Sequence, residues 1–588
     1  MIGFVILINL VLPIQGLGVC VPPNSYKVPV LPNVLVVQDK LQFTTNKDQS
    51  LWITQESKDP LNRRMELLNF QKYIINEPTY AFTDQHPDKK YLLPNSPVSN
   101  MIWNSFVNPE IWDITFDFDV FRQASIMNSI TKPCDTLDDL TNLYNLTGIK
   151  SHMPYPPVLI DWKSDTAFGQ DQLTFNGFNL RKEVKNELSL SDDVVRKITG
   201  SSFNDLLANG RVFKSDFSNM DKYSKTGSQY VPGAYAQFYI DDCKNFMPLA
   251  IYLPRNKLTY TPLDDSNHWL LAKLAFNTAE SNFQPMNHFL LQHLIVRSIR
   301  VEMIRHIGVK HPVYVILNHH FKSVLGLAVN ARDTLVNDDT FYDKTFGTGA
   351  NGALGLEAEL TKNYHFVEQK IREGYQMRGL MDIPNHKQRD DILLIRKAIE
   401  IFITNYLSAF YKTADDVRKD QELQFWVQSV ANPKYGNING FPDYISDIPT
   451  LVDLVTDLIT LVTVQHHQEN SHNVWNGGVL PAKPKAFFKP LPTNKMDPIN
   501  VRDYLVSDVK MLAIETALMA NFYYKVVPKQ LIGASYDDLD LGNSAIQAVK
   551  LFQGHLEFIS DYINQREANS RRPYKSADPK ILAYYGKV

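Results

Sequence analysis

The sequence predicts a mainly α-helical fold, one large helical body built around a long central helix that carries a π-type turn. Three observations point there. Helical periodicity continues across most of the 588 residues without a disordered linker, so one body is favoured over the several domains that length alone suggests. Met286 to Ile307 has few helix breakers and many large apolar residues, as a helix buried on most sides requires. Within it, His288 and His293 stand five residues apart, about 500° along an α-helix. Their rings share a face only if the helix widens into a π-type turn, a distortion that recurs at functional sites.

The elements follow in chain order. Met1 to Ile14 is an apolar run too short to span a bilayer, and Gly16-Leu-Gly18 offers small residues for cleavage, so residues 1–18 read as a secretory signal peptide. No Lys or Arg precedes the apolar run, which leaves a retained anchor or a buried N-terminal strand open. Residues 19–60 read as an extended N-terminal arm, because Lys27 to Val37 mixes β-branched residues with Pro and Asn. The large helical domain then occupies 61–588. Early helical segments are expected at Asn104 to Asp117 and Leu180 to Ile198, with turns at clusters such as Asp241-Asp242. A second long helix is expected over Ile448 to Val464, where Leu451, Leu454, Val455, Leu458, Leu461 and Val462 repeat at helical spacing. It delivers His466 and Asn470 at its end. Gly477-Gly478 and the Pro-rich Leu480 to Pro492 form an irregular segment, and helices follow at Asn500 to Met519 and Ser544 to Arg566.

Hydrophobic residues at 44% and aromatics at 11% suffice for a sizeable core, and a mean hydropathy of -0.25 excludes a polytopic membrane protein. Lys and Arg number 60 against 63 Asp and Glu, with no long basic run, so nucleic acid is not an expected partner. Asn145-Leu-Thr147 is an acceptor pattern for glycosylation. Cys20, Cys134 and Cys243 allow at most one disulfide and form no metal cluster.

The chemistry lies in the histidines. His466 and Asn470 are four apart, about 400° along an α-helix, so they share one face and can grip a single ion. Imidazoles, an amide oxygen and a carboxylate make a mixed N/O set that suits a six-coordinate, redox-active metal better than tetrahedral zinc. The carboxylate is that of Val588, the last residue, which reaches the ion only if the tail threads back into the core. Its apolar side chain makes such burial tolerable.

Taken together, His288-x4-His293-x17-His311-x8-His320, His466-x3-Asn470, Trp269-Leu-Leu-Ala-Lys273, Asn330-Ala-Arg-Asp-Thr-Leu335, Arg571-Arg-Pro-Tyr574 and Asp578-Pro-Lys-Ile-Leu582 resemble a lipoxygenase from Trp103 to Val588. The resemblance implies a lipoxygenase catalytic domain over 61–588. The family's N-terminal β-barrel is absent, since no stretch has the repeated strands it needs. It also implies His288, His293, His466, Asn470 and Val588 as ligands of one ion, with His311, His319, His320, His467 and His472 as neighbours only. The implied reaction uses a metal-bound hydroxide and no side-chain base. A hydrogen atom leaves the bis-allylic carbon of a linoleate- or linolenate-type fatty acid, and O2 adds to give a conjugated hydroperoxide. By the same resemblance Ala331 sets oxygen access and favours S products, Leu335 clamps the pentadiene, Gln284 links pocket to ligand sphere, and Phe341 and Tyr342 line the pocket. Lys525 or Lys529 would meet the substrate carboxylate. A signal peptide, no barrel, an Asn ligand and a terminal Val resemble the secreted fungal manganese lipoxygenases, so manganese is favoured over iron, although Ala331 stands where those enzymes often have Gly. A secreted monomer without a stable membrane anchor is expected. A hydroperoxide isomerase and a secreted lipid-binding protein on the same scaffold remain alternatives.

Overall fold

The computed structural model describes residues 25–32 and 120–586, apart from 175–178, 226, 309–310, 332–334, 473–477, 522–525, 535, 537–538 and 540. The expected leader, the helix at Asn104 to Asp117 and most of the arm lie outside the described residues. So do Val588 and Lys525. The part of the arm that is described, 25–32, has no regular structure and is tied to the helical body. Tyr26 donates to Asp390 Oδ2 at 2.7 Å, and His555 Nε2 meets the Pro32 carbonyl at 3.1 Å.

The central helix begins earlier than its apolar stretch suggests. It runs as α-helix over Ser266–His288, as π-helix over Phe289–Ile295, and as α-helix again over Val296–His306. Asp265 starts it, its carboxylate accepting from the Asn267 and His268 amides. The Trp269-Leu-Leu-Ala-Lys273 motif then anchors this first part. The Trp269 indole and the Lys273 ammonium both donate to Asp165 Oδ1, at 2.8 and 2.7 Å.

The second ligand-bearing helix has the same composite build. It is α-helical over Ile448–Thr460, π-helical over Leu461–Gln465 and α-helical over His466–His472. It is apolar and long enough to cross a membrane, yet most of it is buried in the core. The helix Lys387–Leu407 packs against it and against the C-terminal helix Gly542–Glu567. Arg396 bonds Asp457 Oδ1 at 2.6 Å across the first contact, and Arg566 grips both oxygens of Asp391 across the second.

One region departs from expectation. Leu180 to Ile198 is not a helix: Arg181–Lys182 forms a strand, and helix begins only at Asp192, capped by Ser191. The strand joins an antiparallel sheet in the order β1 (Arg181–Lys182), β2 (Val212–Phe217), β3 (Ala234–Ile240), β4 (Phe246–Leu253) and β5 (Leu258–Tyr260). Pairing with β2 supplies backbone hydrogen bonds, such as that from the Glu183 amide to the Val212 carbonyl at 2.9 Å, that a short amphipathic segment cannot supply alone. The Asp241-Asp242 turn connects β3 to β4, as expected. Further on, the helix expected from Asn500 starts at Val509, where Asp508 caps it by accepting from the Met511 amide.

Candidate metal centre

The π segment between His288 and His293 returns residues five apart to one face, and the two Nε2 atoms lie 3.0 Å apart. The second helix brings in His466, whose ring centre is 4.9 Å from that of His288 and 5.0 Å from that of His293. One ligand atom from each of the three lies within 4.8 Å of the others. Asn470, one turn beyond His466, places its amide 3.4 Å from His466 Nε2. A half-turn of that amide presents Oδ1 to the same point. All four residues are buried.

These residues fit a metal ion. Two imidazoles bound at right angles, at about 2.1 Å each, put their nitrogens about 3.0 Å apart, the separation found between His288 and His293. Burial pushes the His288 pKa down to about 3. Burial and neighbouring imidazoles drive His293 and His466 well below the ordinary histidine value. The rings are therefore neutral, with lone pairs available.

Glu469 is a functional group that the sequence reading passed over. Its Oε2 lies 2.9 Å from His288 Nδ1, and Gln465 Nε2 donates to its Oε1 at 3.1 Å. With His288 neutral, this contact is a hydrogen bond rather than an ion pair; donation from Nδ1 leaves the Nε2 lone pair facing the point where the three rings converge. Burial raises the Glu469 carboxyl to about 8. Its position between His466 and Asn470 was the available signal. Glu469→Ala is expected to weaken metal retention about 10- to 100-fold, read by competition against a chelator. Unchanged retention would mean that packing alone orients His288.

Next to the ligands lies a largely apolar pocket. His288, His293 and Asn470 form part of its wall, as do Ala331, Leu335, Phe341 and Tyr342. Pro285, whose missing N–H interrupts the central helix just before the ligands, lines it too. Gln284 stands behind the wall, fully buried and one helical turn before His288. Lys529 is not at the pocket. It sits exposed on the turn Pro528–Gln530, turned outward because Gln530 is held by the chain's last strand-like segment. The lysine that does line the pocket is Lys485, in the Pro-rich segment.

The C-terminal chain threads inward. Ile532 N bonds the Leu582 carbonyl and Tyr584 N bonds the Gln530 carbonyl, both at 2.9 Å. His320 donates from Nδ1 to the Tyr584 carbonyl at 2.5 Å and accepts from Tyr536 at 3.1 Å, so it holds the tail rather than the ion. His311 caps a helix and bonds Asp420 Oδ2 at 2.9 Å. Gly586 carries the main chain against the site, since a β-carbon there would lie 3.3 Å from His466 Cδ2.

A family model described as lipoxygenase matches residues 185–572. The chain is 31% identical over 353 residues to a manganese lipoxygenase of Fusarium oxysporum, covering 57% of each chain. It is 26% identical over 469 residues to the hydroperoxide isomerase ALOXE3 of Mus musculus, covering 76% of this chain and 65% of that one. Both matches span less than two thirds of the relative's own length. A solved structure of the manganese lipoxygenase of Gaeumannomyces graminis superposes with a TM-score of 0.77 at 25% identity, over 84% of this chain and 92% of that one. The family match covers more than half of the chain, and the helices that it spans are those that gather the histidines: this protein belongs to the lipoxygenase family.

Proposed function

We infer that the protein is a non-haem metal dioxygenase that converts a polyunsaturated fatty acid of the linoleate or linolenate type, with O2, to a conjugated hydroperoxide. The observation that carries this reading is the cluster of three neutral imidazoles, two of which, His288 and His293, stand with Asn470 in the wall of a largely apolar pocket. His288, His293, His466, Asn470 and the Val588 carboxylate would hold one ion. Manganese is the proposed metal and iron the alternative; the manganese lipoxygenases among its relatives support that choice.

The chemistry the ion supplies when bound is one-electron oxidation and reduction together with an acidified water ligand. The chain does the rest. No Asp or Glu is among the described lining residues, so the pocket offers no side-chain carboxylate to the reacting carbons. Leu335 and Ala331 confine the pentadiene, Phe341 and Tyr342 extend the apolar channel, and the wall excludes water from the radical. Ala331 places only a methyl group in the wall, and S products are expected.

Export from the cell belongs to the same reading: a leader over 1–18, an arm over 19–60 and the catalytic domain over 61–588, acting as a monomer with no stable membrane anchor and no nucleic-acid partner. It is supported by a disulfide at Cys243, a bond typical of oxidising compartments, and by the exposure of Asn145 at a glycosylation pattern. Cys134 is a buried free thiol.

The test is metal analysis of the purified protein together with oxygen uptake and conjugated-diene absorbance on incubation with linoleate. Stoichiometric manganese with diene formation is the expected result, and iron with the same activity would correct the metal alone. A second reading, isomerisation of fatty-acid hydroperoxides, is favoured by the likeness to the mouse isomerase. It predicts turnover of added hydroperoxide with little oxygen uptake. Metal with neither activity would leave a lipid-binding protein.

A further inference from the structure

We propose that Lys485 binds the carboxylate of the fatty acid, so that the substrate enters the pocket carboxyl end first. This rests on the reading of the pocket as a fatty-acid site. The wall is almost wholly apolar. Among its described residues, metal ligands aside, Lys485 contributes the one charged side chain. A free fatty acid also has one charged group on an apolar chain, and the two patterns are complementary. Lys485 is 1% exposed, so a carboxylate meets it only by passing inside. The exposed Lys529 offers no such contact.

The lysine is held as part of a built site. Its carbonyl accepts from the Gly347 amide at 2.9 Å and from Asn282 Nδ2, on the central helix, at 2.8 Å. Its ammonium lies 5.3 Å from the Phe346 ring centre, and that ring stacks on Tyr342 at 3.7 Å. Phe346 and Tyr342 both line the pocket, so the charge is steered along the wall by an aromatic face.

Burying an ammonium needs a counter-charge. Glu515 supplies it from the helix Val509–Asn521, three and four residues before Leu518 and Met519, which line the pocket from the same helical face. Glu515 is itself 2% exposed and stands outside the lining. Burial pulls the Lys485 ammonium down and pushes the Glu515 carboxyl up, and the attraction between the two groups opposes both shifts. The nearby Lys483 is committed to Glu280. A wall built only for stability would be apolar here, because replacing a buried ion pair by well-packed apolar residues is often neutral or stabilising. The ligand class is therefore a long-chain free monocarboxylate, not its ester or amide.

The probes are oleate, which has no bis-allylic carbon, and methyl oleate, each titrated into the full-length protein by calorimetry. The wild type is expected to bind oleate at least about tenfold more tightly than methyl oleate, the gain a charge-assisted hydrogen bond gives. Lys485→Met alone would strand Glu515, so the variant is Lys485→Met with Glu515→Gln, beside Lys485→Arg. The double variant is expected to bind oleate roughly 10- to 100-fold more weakly with methyl oleate nearly unchanged, and Lys485→Arg to recover most of the preference. In linoleate turnover the same ratio should appear in KM with kcat little changed. A wild type without preference for the acid, or a double variant that keeps it, overturns the proposal. Lys485-dependent oleate binding without any oxygenation would instead sink the dioxygenase reading and leave this one standing.

Discussion

His466→Ala is expected to strip the protein of its metal and to take fatty-acid oxygenation below about a hundredth of the wild-type rate, a larger loss than the 10- to 100-fold usual for groups outside the ligand sphere. His466 is 1% exposed and is the only described side chain of its helix that the cluster of three imidazoles includes. Its neighbour His467 cannot substitute: one residue along an α-helix turns a side chain about 100° away from the shared face. Removing the ring also takes away the contact that the Asn470 amide makes with His466 Nε2. A control is His311→Gln, which breaks a bond to Asp420 far along the chain and touches no member of the cluster. Metal content by elemental analysis and oxygen uptake with linoleate are the readouts. Full metal occupancy in His466→Ala would remove His466 from the ligand set.

The site was legible because its spacing is a geometric constraint. A spacing of five positions from His288 to His293 demands a π turn if both rings face one ion, and the structure has one at Phe289–Ile295. The second π turn, Leu461–Gln465, left no such trace. It precedes its histidine, and an apolar run such as Leu-Val-Thr-Val reads the same at either pitch. The early half of the central helix was hidden for the opposite reason. Asn277, Glu280 and Asn282 are buried polar residues that interrupt the apolar pattern, and their partners lie two hundred residues away in the Pro-rich segment. The sheet was missed because β3 is buried on both faces, so Ala234–Ile240 shows no alternation of polar and apolar residues. Lys485 escaped notice because Pro and Lys at Lys483-Pro-Lys485 read as a solvated loop; only the fold turns that loop into the core.

A buried ion pair, Lys483 with Glu280, helps to hold that loop, and Lys483→Met is expected to destabilise the protein by about 3–5 kcal/mol. Lys483 and Glu280 are each 0% exposed, and the ammonium also meets Asn277 Oδ1 at 3.0 Å. Desolvating two charges is costly, so the pair itself adds little net stability; the damage comes from leaving the Glu280 carboxylate buried with its cation gone. The double variant Lys483→Met, Glu280→Leu should for that reason recover most of the loss, and the comparison separates a stranded charge from a lost tether. Urea unfolding followed by fluorescence reads both. Should the double variant be as unstable as the single one, the pair is acting as a clasp between the central helix and the segment that carries Lys485. In that case, metal retention and oleate binding should fall together with stability, because the same clasp positions the pocket wall beside His288.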